Sequence, residues 1–234
     1  MADVSADSVM HTIWNSLNNS IGEVIFGMED GVVSIFGLVF GVAASSNNSA
    51  TVLLAGATGA AAASVSMMAG AYLDVTSKKA KAQAAIAHEK QEIQNDRKSE
   101  EQEIRGRLKA AGFNEQETKN ILQALETTPH TMIKFEKAFE LHIGKEAQEN
   151  PIAHAFWMFI ADAIASFTPV LPFAFLALAP ARIVSLILAA ILLILLGMGR
   201  GLVSHRNLLL TTVETVGIAT AAALAGVFIG KLLG

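Results

Sequence analysis

The chain has 234 residues, of which 52% are hydrophobic and only 16% charged, and its mean hydropathy is +0.45. Soluble domains carry about 25% charge, so this is the composition of a membrane protein with a polar part. The net charge of −4 argues against nucleic acid as a partner, and the absence of cysteine excludes disulfides, iron–sulfur clusters and thiolate metal sites.

Residues 1–19 contain Asp3 and Asp7 and neither Lys nor Arg, so they lack the basic start of a secretory signal. Trp14 and Leu17 suggest a short interfacial helix there. A membrane span needs about 20 apolar residues. The first such run covers residues 24–44, and the uncharged turn Ser45-Ser46-Asn47-Asn48-Ser49 joins it to a second at 50–73. The second is dense in small residues: Gly56, Gly59, Ala60, Ala63, Ser64, Ala69 and Gly70. Small residues let helices approach closely, within one bundle or at a dimer interface.

Residues 74–149 hold most of the charged side chains and read as three polar helices. The first continues from the second span to about Leu108, with no Pro or Gly before Gly106, and Gly112 suits its C-terminal cap. The second starts with Asn114 as N-cap and Glu117 at the capping-box position. The third starts with Thr128 and Pro129 and runs to about His142. A third span follows at 152–178, bent or broken by Pro169 and Pro172, which cannot donate helical hydrogen bonds. A tight turn, Ala179-Pro180-Ala181, leads to a lipid-facing fourth span at 183–199, and a fifth covers 208–233.

Lys78, Lys79 and Lys81, then Lys134, Lys137 and Lys145, then Arg200 and Arg206 all fall on one side of a five-span arrangement, while the opposite loops carry only Arg182. The positive-inside rule puts that side in the cytoplasm. The expected fold is an all-α membrane protein with five transmembrane helices and a three-helix cytoplasmic insert between helices two and three. Residues 1–73 hold the N-terminal segment and the first two spans, 74–150 the insert, and 151–234 the last three spans.

On the first insert helix Glu89 and Glu92 are three apart, as are Glu100 and Glu103, and the pairs repeat after eleven residues. At about 3.6 residues per turn this is nearly three turns. A continuous helix would therefore carry all four, with Asp96, within about a quarter of its circumference. Like charges on one face repel, and a cation would offset that. Glu136 and Glu140 form another acidic pair on the third insert helix. Facing these pairs together gives an oxygen-rich pocket for a divalent metal. The competing account is a solvated acidic face paired with Lys90, Arg97, Lys98, Arg105 and Arg107. A ferritin-like di-iron centre needs Glu-x-x-His. It is not expected here, because Ala85 and Phe139 stand where those glutamates would precede His88 and His142.

Charge inside a bilayer costs several kcal/mol, about 2.5–3.5 for Asp at mid-span, so an intramembrane carboxylate is a functional candidate. Glu29 and Asp30 sit in the first span, Asp162 in the third and Glu214 early in the fifth. Glu29 also suits the interface, and Asp162 and Glu214 also suit helix-to-helix hydrogen bonds. Met67 and Met68, late in the second span, are packing residues in most settings. A thioether beside a carboxylate, however, suits a transition metal.

The runs Asp30-Gly31-Val32-Val33-Ser34, Gly37-Leu38-Val39-Phe40-Gly41-Val42-Ala43 and Ser66-Met67-Met68-Ala69-Gly70 resemble the vacuolar iron transporter family. The resemblance extends over nearly the whole chain, through Pro169-Val170-Leu171-Pro172 to the closing Ile229-Gly230-Lys231-Leu232-Leu233. It implies a five-span homodimer with a cytoplasmic metal-binding domain. Such a protein moves Fe2+, and in some members Mn2+, out of the cytosol, often in exchange for protons. It implies Asp30 and Met67 as translocation residues, and Glu89, Glu92, Glu100, Glu103 and Glu140 as metal ligands of the insert.

There are two departures from the family. Ala71 stands in Gly70-Ala71-Tyr72 where many members have Glu, which leaves that role empty or moved, for instance to Glu214. Glu136-Lys137 stands near where plant members have a methionine pair, which hardens the site and loosens any preference for Fe2+ over Mn2+. The short N-terminus points to a prokaryotic inner membrane, or a vacuolar membrane in a eukaryote. No cofactor and no enzymatic chemistry are implied; the metal is substrate and, in the insert, a regulatory ligand. The alternative from another class is a membrane-anchored iron sensor or storage protein, which would be indifferent to Asp30→Ala. A structural membrane protein whose acidic insert binds a protein partner is a further alternative.

Overall fold

The computed structural model describes residues 21–125, 131–135 and 150–233, the side chain of Arg97 excepted. The expectations for residues 1–19 and for most of the third insert helix, with Glu136, Glu140 and His142, lie outside the described residues. The described elements are all helices: α1 (Ile21–Ser45), α2 (Ser49–Asn95), α3 (Arg97–Ala110), α4 (Glu115–Leu125), α5 (Pro151–Phe167), α6 (Pro172–Phe175), α7 (Leu178–Val203) and α8 (Leu208–Leu233). They form two compact units, one of Met1–Tyr72 with Pro151–Gly234 and one of Leu73–Asn150.

In the first unit α1, α2, α7 and α8 are long and apolar enough to cross a membrane. α5, at 17 residues, falls short of a full span. Large apolar side chains stand exposed on these helices, among them Leu54, Ile183, Leu209, Phe228 and Leu232. Water disfavours so broad an apolar surface, whereas lipid accepts it.

The third apolar run breaks at the predicted prolines. α5 ends at Phe167, and the chain continues through tighter three-residue bonds, Val170 N to Phe167 O at 3.0 Å and Phe173 N to Val170 O at 3.1 Å. Because the Phe173 amide goes to Val170, the Pro169 carbonyl loses its helical donor. The buried Ser185 hydroxyl donates to it instead at 2.7 Å. The expected turn at Ala179-Pro180-Ala181 is corrected: α7 already starts at Leu178. Proline is tolerated in a first helical turn, where its missing N–H has no partner to lose. The chain bends earlier, at Leu176 and Ala177, both extended.

α1 packs against α5, α7 and α8. Its glycines permit this. A Cβ on Gly37 would lie 2.9 Å from Ala222 O, and one on Gly41 would lie 2.7 Å from Gly226 O. On α8, a Cβ at Gly226 would collide with Gly37 O and one at Gly230 with Gly41 O. Two glycines four residues apart on each helix thus bring backbone against backbone. Apolar clusters pack between the helices, and two are the largest of this unit among the described residues. One holds Ile35, Val39, Val52, Val170 and Phe173. The other holds Val32, Phe36, Ala189, Leu193 and Ala219.

In the second unit the expected continuous first helix is corrected as well. α2 stops at Asn95, and Asp96 caps a separate α3, its Oδ1 accepting from Ser99 N at 3.1 Å. A short acidic side chain favours this cap because it satisfies an amide that the new helix leaves open. α3 closes where Gly112, with φ 95°, allows the left-handed turn. Phe113 N reaches Leu108 O at 3.1 Å and Gly112 N reaches Lys109 O at 3.0 Å, the paired bonds of a glycine-terminated helix. α4 opens with the predicted capping box: Glu117 N donates to Asn114 Oδ1 at 2.9 Å, and Asn114 N donates to Glu117 Oε2 at 2.8 Å. Ile93, Ile104, Leu108, Leu122, Leu125 and Met132 form this unit's core.

Candidate functional site

α1 carries its two adjacent carboxylates in different settings. Glu29 is buried and Asp30 exposed. Both line a cavity of about 180 Å3 with Phe26, Val33, Arg200, Thr215 and Ile218. Thr215 Oγ1 donates to Glu29 Oε1 at 2.8 Å, and Arg200 Nη1 lies 3.5 Å from Glu29 Oε2. The same guanidinium donates through Nη2 to Glu214 Oε2 at 3.0 Å and to Thr211 O at 3.2 Å. Arg206 grips Glu214 through both of its terminal nitrogens, at 3.3 and 3.1 Å. Glu214 is thus held between two guanidinium groups, and Arg200 links it to Glu29. His205, at φ 52°, ends α7 in the left-handed turn just before Arg206. In the sequence Arg200 and Arg206 mark only sidedness, and their nearness to Glu214 in the chain is the available signal for this ladder.

Met67 is half-buried against Ala71, Ala155 and Met158. The bare Gly27 makes room there, since its Cβ would lie 2.9 Å from Met158 Cε. Asp30 lines the other cavity, so the two predicted translocation residues sit in different surroundings within one protomer. Asp162 is fully buried. Ser64 Oγ lies 2.7 Å from its Oδ2, and Ser166 Oγ lies 3.3 Å from the same oxygen. The glycine after Asp30 is what admits it: a Cβ on Gly31 would lie 2.6 Å from Asp162 Oδ1.

In the second unit the break at Asp96 brings Glu100 back to Glu89 and Glu92. One carboxylate oxygen from each lies within 4.8 Å of the others, with Glu89 and Glu100 buried and Glu92 exposed. His88 Nδ1 lies 2.9 Å from Glu92 Oε2. Three carboxylates are a donor set for a hard or borderline divalent cation. Glu103 points elsewhere and pairs with Arg107 at 2.7 Å. The cations Lys109 and Arg105 gather instead on the exposed Glu115, at 2.6 and 2.9 Å. The Lys109 hydrogen bond and charge, with help from Arg105, hold the Glu115 carboxyl below the usual carboxylate range. Its small contribution to stability is present at neutral pH and lost as acid protonates it.

The family model described as "VIT family" matches residues 21–231. The chain belongs to the VIT family. Among similar proteins, "Vacuolar iron transporter 1" of Arabidopsis thaliana is 27% identical over 214 residues, 91% of this chain and 86% of that one. "Vacuolar iron transporter 1" of Eucalyptus grandis is 28% identical over 207 residues, 87% of this chain and 83% of its own length. "Vacuolar iron transporter 1" of Oryza sativa subsp. japonica is 27% identical over 212 residues, covering 90% and 84%. Membership in the VIT family and the apolar helices make the chain an integral membrane protein. Members of the VIT family are transporters and not enzymes.

Proposed function

We propose that this chain exports Fe2+ from the cytosol by proton antiport, with Mn2+ as a second substrate. It works as a homodimer of five-span protomers whose polar insert is cytoplasmic. α5, the turn after it and α6 together form the third span. The insert glutamates gather the ion and raise its local concentration. Asp30 and Met67 then carry it through the bilayer, the two protomers contributing jointly along the dimer axis. Glu214, tied to Arg200, is the third residue of the pathway. The vacuolar iron transporters similar to this chain support the choice of metal. The observation that carries the proposal is a charged cavity containing Asp30 within an apolar helix, in a chain that also groups Glu89, Glu92 and Glu100.

The test is flux into proteoliposomes holding a metal-quenched dye, with Fe2+ (kept reduced) and Mn2+ compared. Flux of either ion that an opposing pH gradient accelerates is expected. A folded protein that binds metal but moves none, with or without the gradient, favours the sensor or storage role instead.

The insert is also testable. Glu100→Gln is expected to weaken Mn2+ binding to the full-length protein by about tenfold or more, the loss of ~1.4 kcal/mol or more of ligand energy. Glu103→Gln, whose carboxylate serves Arg107, is expected to stay within about twofold of wild type, well under that energy. Isothermal titration calorimetry on both variants decides. Equal losses would place Glu103 among the ligands.

A further inference from the structure

We propose that Asp162 is a proton-binding site of the membrane unit and supplies the coupling proton of the antiport, a role that rests on the function proposed above. The observation is a count of hydrogens. Asp162 Oδ2 lies 2.7 Å from Ser64 Oγ, and Ser64 Oγ lies 2.8 Å from Ala60 O. Oxygens that close form a hydrogen bond, and each bond needs one hydrogen. A serine hydroxyl has a single hydrogen and a backbone carbonyl has none. Ser64 gives its hydrogen to Ala60, the bond that a helical serine makes to the carbonyl four residues back. The second hydrogen then belongs to Asp162. A chain from Asp162 Oδ2–H to Ser64 Oγ–H to the Ala60 carbonyl satisfies both contacts.

The ionised form fares worse. It would share one hydrogen with Ala60 and lean on Ser166 at 3.3 Å. Its Oδ1, fully enclosed and without a hydrogen-bond partner among the described residues, would be a bare charged oxygen. Burying an ionised carboxylate without a counter-charge costs far more than burying the neutral acid. No cation relieves it among the described neighbours. α1 brings Gly31 against it, and Asp30 is the charge that bears on it, of like sign. α2 has no titratable side chain within seven residues of Ser64, and α5 has no other within seven of Asp162.

This arrangement couples two ions through the field alone. A divalent cation arriving at Asp30 makes the surroundings of Asp162 more positive and favours release of its proton. By linkage, a proton returning to Asp162 weakens metal binding at Asp30 by the same factor.

The test uses the full-length protein in lipid. Infrared spectroscopy at neutral pH is expected to show the carbonyl band of a protonated carboxylic acid. The band disappears in Asp162→Asn and moves to higher frequency in Ser64→Ala, which removes the acceptor. Asparagine keeps the size and donates to Ser64 in place of the acid hydroxyl, so the fold survives. In proteoliposomes the metal flux of Asp162→Asn is expected to lose the stimulation that a pH gradient gives the wild type. A spectrum unchanged by Asp162→Asn, or a variant with full stimulation, overturns the proposal. Loss of the band from a protein that moves no metal would sink transport while leaving the proton site in place.

Discussion

Gly226→Leu is expected to prevent the membrane unit from assembling, and Gly226→Ala to destabilise it by about 1–3 kcal/mol, the usual range for overpacking. Even one methyl group at Gly226 would collide with the Gly37 carbonyl of α1, which is backbone and cannot rotate away. Relief requires α1 and α8 to separate, and α1 is the helix that also packs α5 and α7. Gly230→Ala meets Gly41 in the same way and should behave alike. Gly217→Ala on the same helix is the control. Among the described residues nothing outside its own helix backbone lies within 4 Å of its added Cβ, and alanine is the better helix former by about 1 kcal/mol. Thermal unfolding in detergent, followed by size-exclusion chromatography, should rank Gly217→Ala at or above wild type and Gly226→Ala clearly below it. Equal midpoints for the two alanine variants would mean that the helices do not meet at these glycines.

Asp30→Ala is expected to lower metal flux about tenfold or more, equivalent to at least ~1.4 kcal/mol of lost stabilisation in the rate-limiting step. The side chain is exposed in its cavity, so removing it leaves neither a buried void nor a deserted partner in the core. The variant should therefore unfold at the wild-type temperature, which separates loss of transport from loss of fold. Asp30→Asn should fail similarly, because it keeps the size and removes the charge. Glu29 does not substitute for Asp30, since Thr215 and Arg200 already hold its two oxygens. Wild-type flux in folded Asp30→Ala would remove this residue from the pathway.

The features legible in the sequence were those set by nearby residues. Gly112 and the Asn114–Glu117 pair mark helix ends because their chemistry acts within one turn. Pro169 and Pro172 break the third apolar run for the same reason. The break at Asp96 carried no glycine or proline, yet Asp is a favoured N-cap, and Ser99 three residues on offered the amide. An unbroken helix puts all four glutamates on one face, whereas the break groups Glu100 with Glu89 and Glu92 and leaves Glu103 beside Arg107. Contacts across long separations were not legible. Ser64 read as one more small residue of a packed span; its bond to Asp162 crosses 98 positions. Arg200 read as a sign of sidedness, although it links three helices through Glu29, Thr211 and Glu214.

The most direct measurement is proton movement during metal transport with no pH gradient imposed. Proteoliposomes would hold a pH-sensitive dye, and a gradient of Mn2+ or reduced Fe2+ would be the only driving force. Alkalinisation of the lumen that tracks metal entry, disappears in Asp30→Ala and is absent from protein-free vesicles is the predicted result. Metal entry with no change in luminal pH, once leak is subtracted, would contradict antiport and leave an uncoupled metal pathway.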